Sequence, residues 1–364
     1  MSADQLLIAL MALFAVLGAM DRIFGGRFGI GREFESGILT MGSLALAMVG
    51  IVCLAPVLAA VLRPVVVPVF RLLGADAAMF AGSILACDMG GGALARELTQ
   101  NADAAALGGV ITGSMLGATV VFTIPVAMGI LDEGDRPAMA KGILCGIITI
   151  PVGVLVGGLV AGFPLAMVAQ NLIPIVILAA LIALGLWRAE KAMVRGFELF
   201  GKGVVAVSTA GLAAAIAQSL TGWTIIPGMA PIADGFQTVG IIAIVLAGAF
   251  PLVAILTRLL RKPLLAAGKY LGINDAAAAG LIASLANSIA TFGMVKDMNP
   301  RGKVVNIAFA VSAAFVFGDH LGFTAGFAPE LLPAVILGKL SGGVSAVLVA
   351  LLLTAKEGDS TKRS

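Results

Sequence analysis

Long apolar runs separated by short polar links fill the chain from end to end. The apolar blocks fall at 5–20, 38–62, 77–94, 104–131, 138–161, 165–187, 203–220, 237–257, 275–295, 304–323 and 331–354. Most approach the ~20 helical residues that cross a hydrocarbon layer about 30 Å thick. The pattern predicts an all-α, polytopic integral membrane protein, one domain over 1–364. Two of the links, Arg63 to Arg71 and Arg258 to Lys269, are amphipathic and basic, and Trp187 and Trp223 stand at block ends, as interfacial aromatics do.

The blocks repeat. An offset of 198 residues pairs Gly37 with Gly235, Gly42 with Gly240, Gly50 with Gly248, Leu73-Gly74 with Leu271-Gly272, Ala81-Gly82 with Ala279-Gly280, and Ser114 with Ser312. A constant offset across whole blocks implies a duplication. The expected organisation is repeat 1 over 1–161, a linker helix and basic loop over 162–202, repeat 2 over 203–354, and a cytoplasmic tail over 355–364.

Charge decides how the halves are oriented. Basic residues crowd 188–202, 258–269 and the tail, whereas 221–236 and 324–330 contain no Lys or Arg. Short positive loops stay cytoplasmic. That bias is met in the second half if 275–295 dips in and returns. The equivalent choice for 77–94 places the N-terminus outside and leaves Arg63, Arg71 and Arg96 outside against the bias. The expectation is about nine spanning helices plus two re-entrant segments in a two-fold inverted repeat, a plan many transporters use.

Composition narrows the class. The 364 residues are 60% hydrophobic and 12% charged, with mean hydropathy +1.09, against about 45–50% and about 25% in soluble domains. The net charge of +3 sits in loops and suits topology rather than nucleic acid. Cys53, Cys87 and Cys145 lie within apolar blocks at spacings that suit neither disulfides nor a metal, and a single histidine excludes an HExxH site. There is no GxxxxGK[ST] phosphate loop and no GxSxG elbow. No cofactor, metal or catalytic residue is expected. Transport is the leading class, with a channel or an intramembrane enzyme as rivals.

Ionisable groups inside apolar blocks need a reason, because burying them in lipid is costly. Asp88 stands in Leu85-Ala86-Cys87-Asp88-Met89-Gly90-Gly91-Gly92, where three glycines loosen the helix and free its backbone. A carboxylate there suits a cation, or else caps the resuming helix or pairs with Arg96. Asn287, at the equivalent depth of the other half, offers an amide to a ligand or to a neighbouring helix. Asp319 and His320 could relay a proton or hold a cation, or form an interfacial pair at a helix end. Thr123-Ile124-Pro125 and Thr149-Ile150-Pro151 predict kinks. Gly109, Gly113 and Gly117, four apart, predict close helix packing.

At these residues the chain resembles the EutH family, the ethanolamine transporters of bacterial ethanolamine-utilisation operons. The likeness runs along nearly the whole chain: Met41 through Gly50, Met79-Phe80-Ala81-Gly82, Cys87-Asp88-Met89-Gly90-Gly91, Arg301-Gly302-Lys303-Val304, Ala310-Val311-Ser312-Ala313-Ala314-Phe315 and Gly318-Asp319-His320-Leu321-Gly322-Phe323. Ala93-Leu94 stands where the family pattern has bulkier aromatics, Ser288 where it has a second asparagine, and 221–236 is shorter than the family's link. The resemblance implies uptake of ethanolamine across the bacterial inner membrane, with the lipid bilayer as surroundings and a homo-oligomer left open. Protonated ethanolamine needs a desolvated carboxylate for its ammonium and an amide or hydroxyl for its OH group. The residues expected to bind it are Asp88, Asn287, Phe80, Phe292 and Ser114. Asp319, His320, Gly90, Gly91 and Gly92 are the candidates for coupling or gating.

Overall fold

A computed structural model describes residues 2–355. The rest of the expected tail, 356–364, lies outside the described residues, as do the side chains of Arg261 and Lys269 in the basic link. Every regular element among the described residues is helical. Seven helices are long and apolar enough to cross a membrane: Ala3–Ile23, Ile30–Leu72, Ala102–Ile130, Glu133–Val160, Leu165–Thr221, Ile232–Leu259 and Pro329–Leu353. Apolar side chains cover much of their outer surface, Leu72, Leu220 and Leu352 among them, and Trp187 and Trp223 are both 71% exposed.

The longest helix is not straight. Ala189 leaves helical geometry at φ −145° and ψ 47°, and a Cβ on Gly185 would touch the Met193 side chain. Eight residues of straight helix would hold those positions about 12 Å apart. The chain therefore bends sharply at Ala189, separating an apolar stretch before it from a second stretch after it. That second stretch packs on Ile30–Leu72 with no room to spare, since a Cβ on Gly50 would lie 1.7 Å from the Ser208 carbonyl oxygen. Ser208 Oγ donates to the Ala47 carbonyl at 2.8 Å.

Two segments form helical hairpins with short arms. The first has arms Ala78–Ile84 and Gly92–Leu98, of 7 residues each. Seven helical residues rise only about 10 Å, far short of a 30 Å core. Both arms lie on the same helix, because Gly108 and Gly117 approach Ala78 and Leu85, while Gly109 approaches Gly91, Gly92 and Ala95. The two feet are tied together, with Thr99 Oγ1 donating to Asp76 Oδ2 at 2.8 Å. The second hairpin has arms Asp275–Ala286 and Ser288–Met294. Its feet are joined by Asn274 Nδ2 donating to the Asp297 carbonyl at 2.8 Å and Asn299 Nδ2 to the Gly272 carbonyl at 3.0 Å. Asp76 and Asn274 are 198 positions apart, as are Asn101 and Asn299, and both of the latter cap the next helix.

A third break interrupts the helix after the second hairpin. Pro300–Ala313 ends and Asp319–Phe327 begins across Ala314 to Gly318, where Phe315 takes φ +62°. The equivalent helix of the first half, Ala102–Ile130, stays continuous and is π-helical over Ala106–Gly117.

Candidate substrate site

Three interruptions meet in one place. In the first hairpin, Leu85 and Ala86 are extended, and the tight turn Cys87–Gly91 needs Gly90 at φ +93°. No side chain fits there: a Cβ on Gly90 would come 2.0 Å from Ile51 Cγ2. In the second hairpin the chain opens at Asn287, whose side-chain oxygen accepts from Ile289 N–H at 2.8 Å and so caps the returning arm. The third break docks on that hairpin through its backbone, Phe315 N–H donating to the Ser284 carbonyl at 3.1 Å and Phe317 N–H to the Leu285 carbonyl at 2.9 Å. Gly318 allows this approach, since a Cβ there would lie 2.2 Å from the Ala286 carbonyl oxygen. The groups freed by unwinding thus satisfy one another, as a helix broken inside a membrane protein requires.

The breaks gather side chains that sequence separates widely. A cavity of about 450 Å³ is lined by Asp88, Asn287, Asp319 and His320, with Phe122, Phe250 and Phe315 supplying aromatic wall and Thr40 and Ser43 hydroxyls. Asp88 is 9% exposed and His320 4%. Asp88 Oδ1 lies 3.7 Å from His320 Nε2, too far for a hydrogen bond. Among the described residues, neither Asp88 Oδ1 nor His320 Nδ1 has a hydrogen-bond partner. The His320 ring packs 5.3 Å from the Phe315 ring, which stands edge-on to Phe122 at 5.5 Å. Two carboxylates and three aromatic faces around one cavity make a surface suited to a small cation. Buried carboxylate atoms without partners are costly unless something neutralises them.

The other expected residues lie apart from this lining. Phe292 is a core side chain at 1% exposure. Phe80 stands edge-on to Phe70 at 6.1 Å. Ser114 is buried and its Oγ donates to the Ile111 carbonyl at 2.8 Å. Gly91 and Gly92 let the hairpin close, with a Cβ on Gly92 falling 2.7 Å from Phe323 Cζ. Arg96 does not reach Asp88; it donates to the Phe327 carbonyl at 2.8 Å and stacks 3.4 Å over the Phe327 ring. Of the alternatives open for Asp88 in the sequence, pairing with Arg96 is therefore removed.

Sequence reasoning missed the aromatic wall and one buried cation. Phe122, Phe250 and Phe315 fall in three separate blocks, and nothing local distinguishes them from core phenylalanines. Lys339 was legible: it is a lone charge in the middle of the last apolar block. It is 1% exposed, and its ammonium donates to the Ser114 carbonyl. The sulfur of Cys87 lies within 4.8 Å of ligand atoms of Asp88 and His320, a grouping able to hold a metal ion.

Comparison with known proteins gives a consistent result. The chain matches the family described as "Ethanolamine utilisation protein, EutH" over residues 3–353. It is 58% identical to the "Probable ethanolamine permease EutH" of Listeria monocytogenes over 97% of this chain and 95% of that one. It is 48% identical to the protein of the same name in Escherichia coli, over 98% and 97%. A Bacillus subtilis relative called "Uncharacterized protein YxeR" is 49% identical over 97% and 96%. No solved structure matches. With a family match and identities that run through almost the full length, the chain belongs to the EutH family of ethanolamine utilisation proteins.

Proposed function

We propose that this protein carries protonated ethanolamine across the bacterial inner membrane by alternating access. Relatives over nearly the full length are named probable ethanolamine permeases, which supports a transporter rather than an enzyme. The observation that carries the substrate reading is the pair of carboxylates, Asp88 and Asp319, facing one cavity beside His320. Asp88 and Asp319 hold the ammonium, the Asn287 amide meets the hydroxyl, and Phe122, Phe250 and Phe315 replace water around the carbon chain. The cavity exceeds what four heavy atoms fill, so tight binding calls for a closed form in which the aromatic wall moves inward. Gly90, Gly91 and Gly92 are proposed as the hinge of that closure, and Asp319 with His320 as the coupling pair.

We also propose the membrane arrangement expected from the charge pattern. Both hairpins are too short to span and have their feet tied together, which supports re-entrant segments. Splitting Leu165–Thr221 at Ala189 and counting Pro300–Phe327 as one broken span gives nine crossings. Five of them precede the stretch after Ala189, and an odd number inverts the second half, with repeat 1 over 1–161 and repeat 2 over 203–354.

The test is uptake of labelled ethanolamine into proteoliposomes, with pH and sodium gradients imposed separately. Saturable uptake by the wild type and its loss in Asp88→Asn are expected. Unitary conductance with linear, unsaturable flux would reassign the protein as a channel, and no uptake under any gradient would remove the transport reading.

A further inference from the structure

The last long helix carries a charge that the substrate reading leaves unused. Lys339 lies within Leu332–Leu353 and is 1% exposed. Its ammonium donates to the Ser114 carbonyl, and among the described residues it forms no ion pair. It is not part of the cavity lining, yet Gly113, the residue before its acceptor, packs on the hairpin tip, where a Cβ would fall 3.1 Å from the Cys87 backbone nitrogen. Lys339 therefore stands behind the tip of the first hairpin, against the turn Cys87–Gly91 that carries Asp88. One turn along the helix of Lys339, Gly342 faces Ser312 of Pro300–Ala313, whose Oγ is buried without a partner among the described residues. The ammonium thus sits between the first and second halves of the chain, on the Ser114 carbonyl.

An unpaired buried ammonium is costly, and a methionine of similar length would pack between these helices without that cost. Formal charges supply a reason for keeping it. Asp88 and Asp319 contribute two negative charges and Lys339 one positive, so the cluster carries a net single negative charge. One monovalent cation neutralises it. Without Lys339 the same carboxylates would call for two monovalent cations in a low-dielectric interior.

We propose that Lys339 is a tethered cation standing in for a co-bound inorganic ion, so that the site takes one ammonium substrate and needs no sodium or potassium beside it. This rests on the reading of the cavity as an ammonium site. It assigns Lys339 a positioning role through the field it exerts, since it does not touch the substrate. The competing account is local: Lys339 only satisfies a carbonyl of the π-helical stretch Ala106–Gly117.

The experiment is calorimetric binding of ethanolamine to the purified full chain, in sodium, potassium or N-methylglucamine chloride at equal ionic strength. The wild type binds with the same affinity in all three. Lys339→Gln keeps a donor for the Ser114 carbonyl and Lys339→Met does not, but both lose the charge. Each is expected to bind about tenfold or more weakly in N-methylglucamine and to recover most of that loss in sodium or potassium. Native affinity of folded Lys339→Gln without an inorganic cation overturns the proposal, as does a loss that no inorganic cation restores. The wild type alone also decides the matter, should the variants not fold: ethanolamine binding that requires sodium or potassium overturns the tethered-cation role and leaves the substrate reading standing. A wild type that binds no ethanolamine in any salt overturns the substrate reading and this inference with it.

Discussion

Replacing Asp88 by asparagine removes one charge and changes almost nothing else. The side chain keeps its volume and its capacity to accept a hydrogen bond, so the tight turn at Cys87–Gly91 has no steric reason to rearrange. Asp88 is 9% exposed and its Oδ1 has no hydrogen-bond partner among the described residues, so a bound ammonium would be its natural neutralising group. A hydrogen bond to a charged group contributes about 1.5–3 kcal/mol, and two unit charges at 4 Å with an effective dielectric near 20 interact by about 4 kcal/mol. The lower figures correspond to about tenfold to 150-fold in affinity, and the Coulomb figure sets an upper bound near a thousandfold. Asp88→Asn is therefore expected to weaken ethanolamine binding by at least about tenfold while its melting temperature stays close to that of the wild type. Asp88→Ala should lose affinity and stability together. Binding and melting are measured on the same detergent-purified sample. Native affinity in folded Asp88→Asn would refute the reasoning, and a lowered melting temperature with native affinity would leave Asp88 as a group that only holds the hairpin tip.

Four further outcomes follow from the geometry. Gly318→Ala drives a Cβ to 2.2 Å from the Ala286 carbonyl oxygen, so thermal melting should report a loss of about 1–3 kcal/mol; a wild-type melting temperature would show that the third break is free to shift. Phe122→Leu should lower ethanolamine affinity by a few-fold to about thirtyfold through loss of a cation–π face, and equal affinity in a binding assay would remove that face from the site. Cysteines at Arg71 and Gln100 should be labelled from outside in intact cells, and cysteines at Tyr270 and Lys296 only after permeabilisation; labelling of Arg71→Cys and Gln100→Cys from opposite sides would contradict a first segment that turns back. His320→Gln should flatten the pH dependence of proteoliposome uptake with binding largely kept, because an imidazole beside Asp88, Asp319 and Cys87, with Lys339 behind the hairpin tip, is the candidate proton relay; an unchanged profile assigns His320 to packing against Phe315.

How much was legible in the sequence follows from how local each signal is. A run of apolar residues reports its own helix, because each long block must bury its backbone polar groups within itself to enter a bilayer. Asp88 beside three glycines is equally local, since a charge and a helix breaker at adjacent positions are costly wherever the segment packs. Asn287 reads as polar at the right depth, but its capping bond to Ile289 N–H depends on the chain opening there, which no single residue announces. The 198-residue offset predicted paired elements. It did not predict that the first half would keep Ala102–Ile130 continuous and π-helical while the second half breaks at Phe315.

The sequence by itself determined an all-helical chain of membrane-spanning length, its family, and three of the ionisable groups worth attention, Asp88, Asp319 and His320. Those properties come from composition and from neighbours along the chain. Only the tertiary structure decided that Asp88, Asn287, Asp319 and His320 share one cavity, while Phe80, Phe292 and Ser114 do not line it. The physical reason is that packing between helices is set by facing surfaces, and a phenylalanine reads alike in core and cavity. Lys339 shows the same limit from the other direction. Its charge was visible in the last apolar block, but its place behind the turn that carries Asp88 exists only once the hairpin tip and the last helix are brought together.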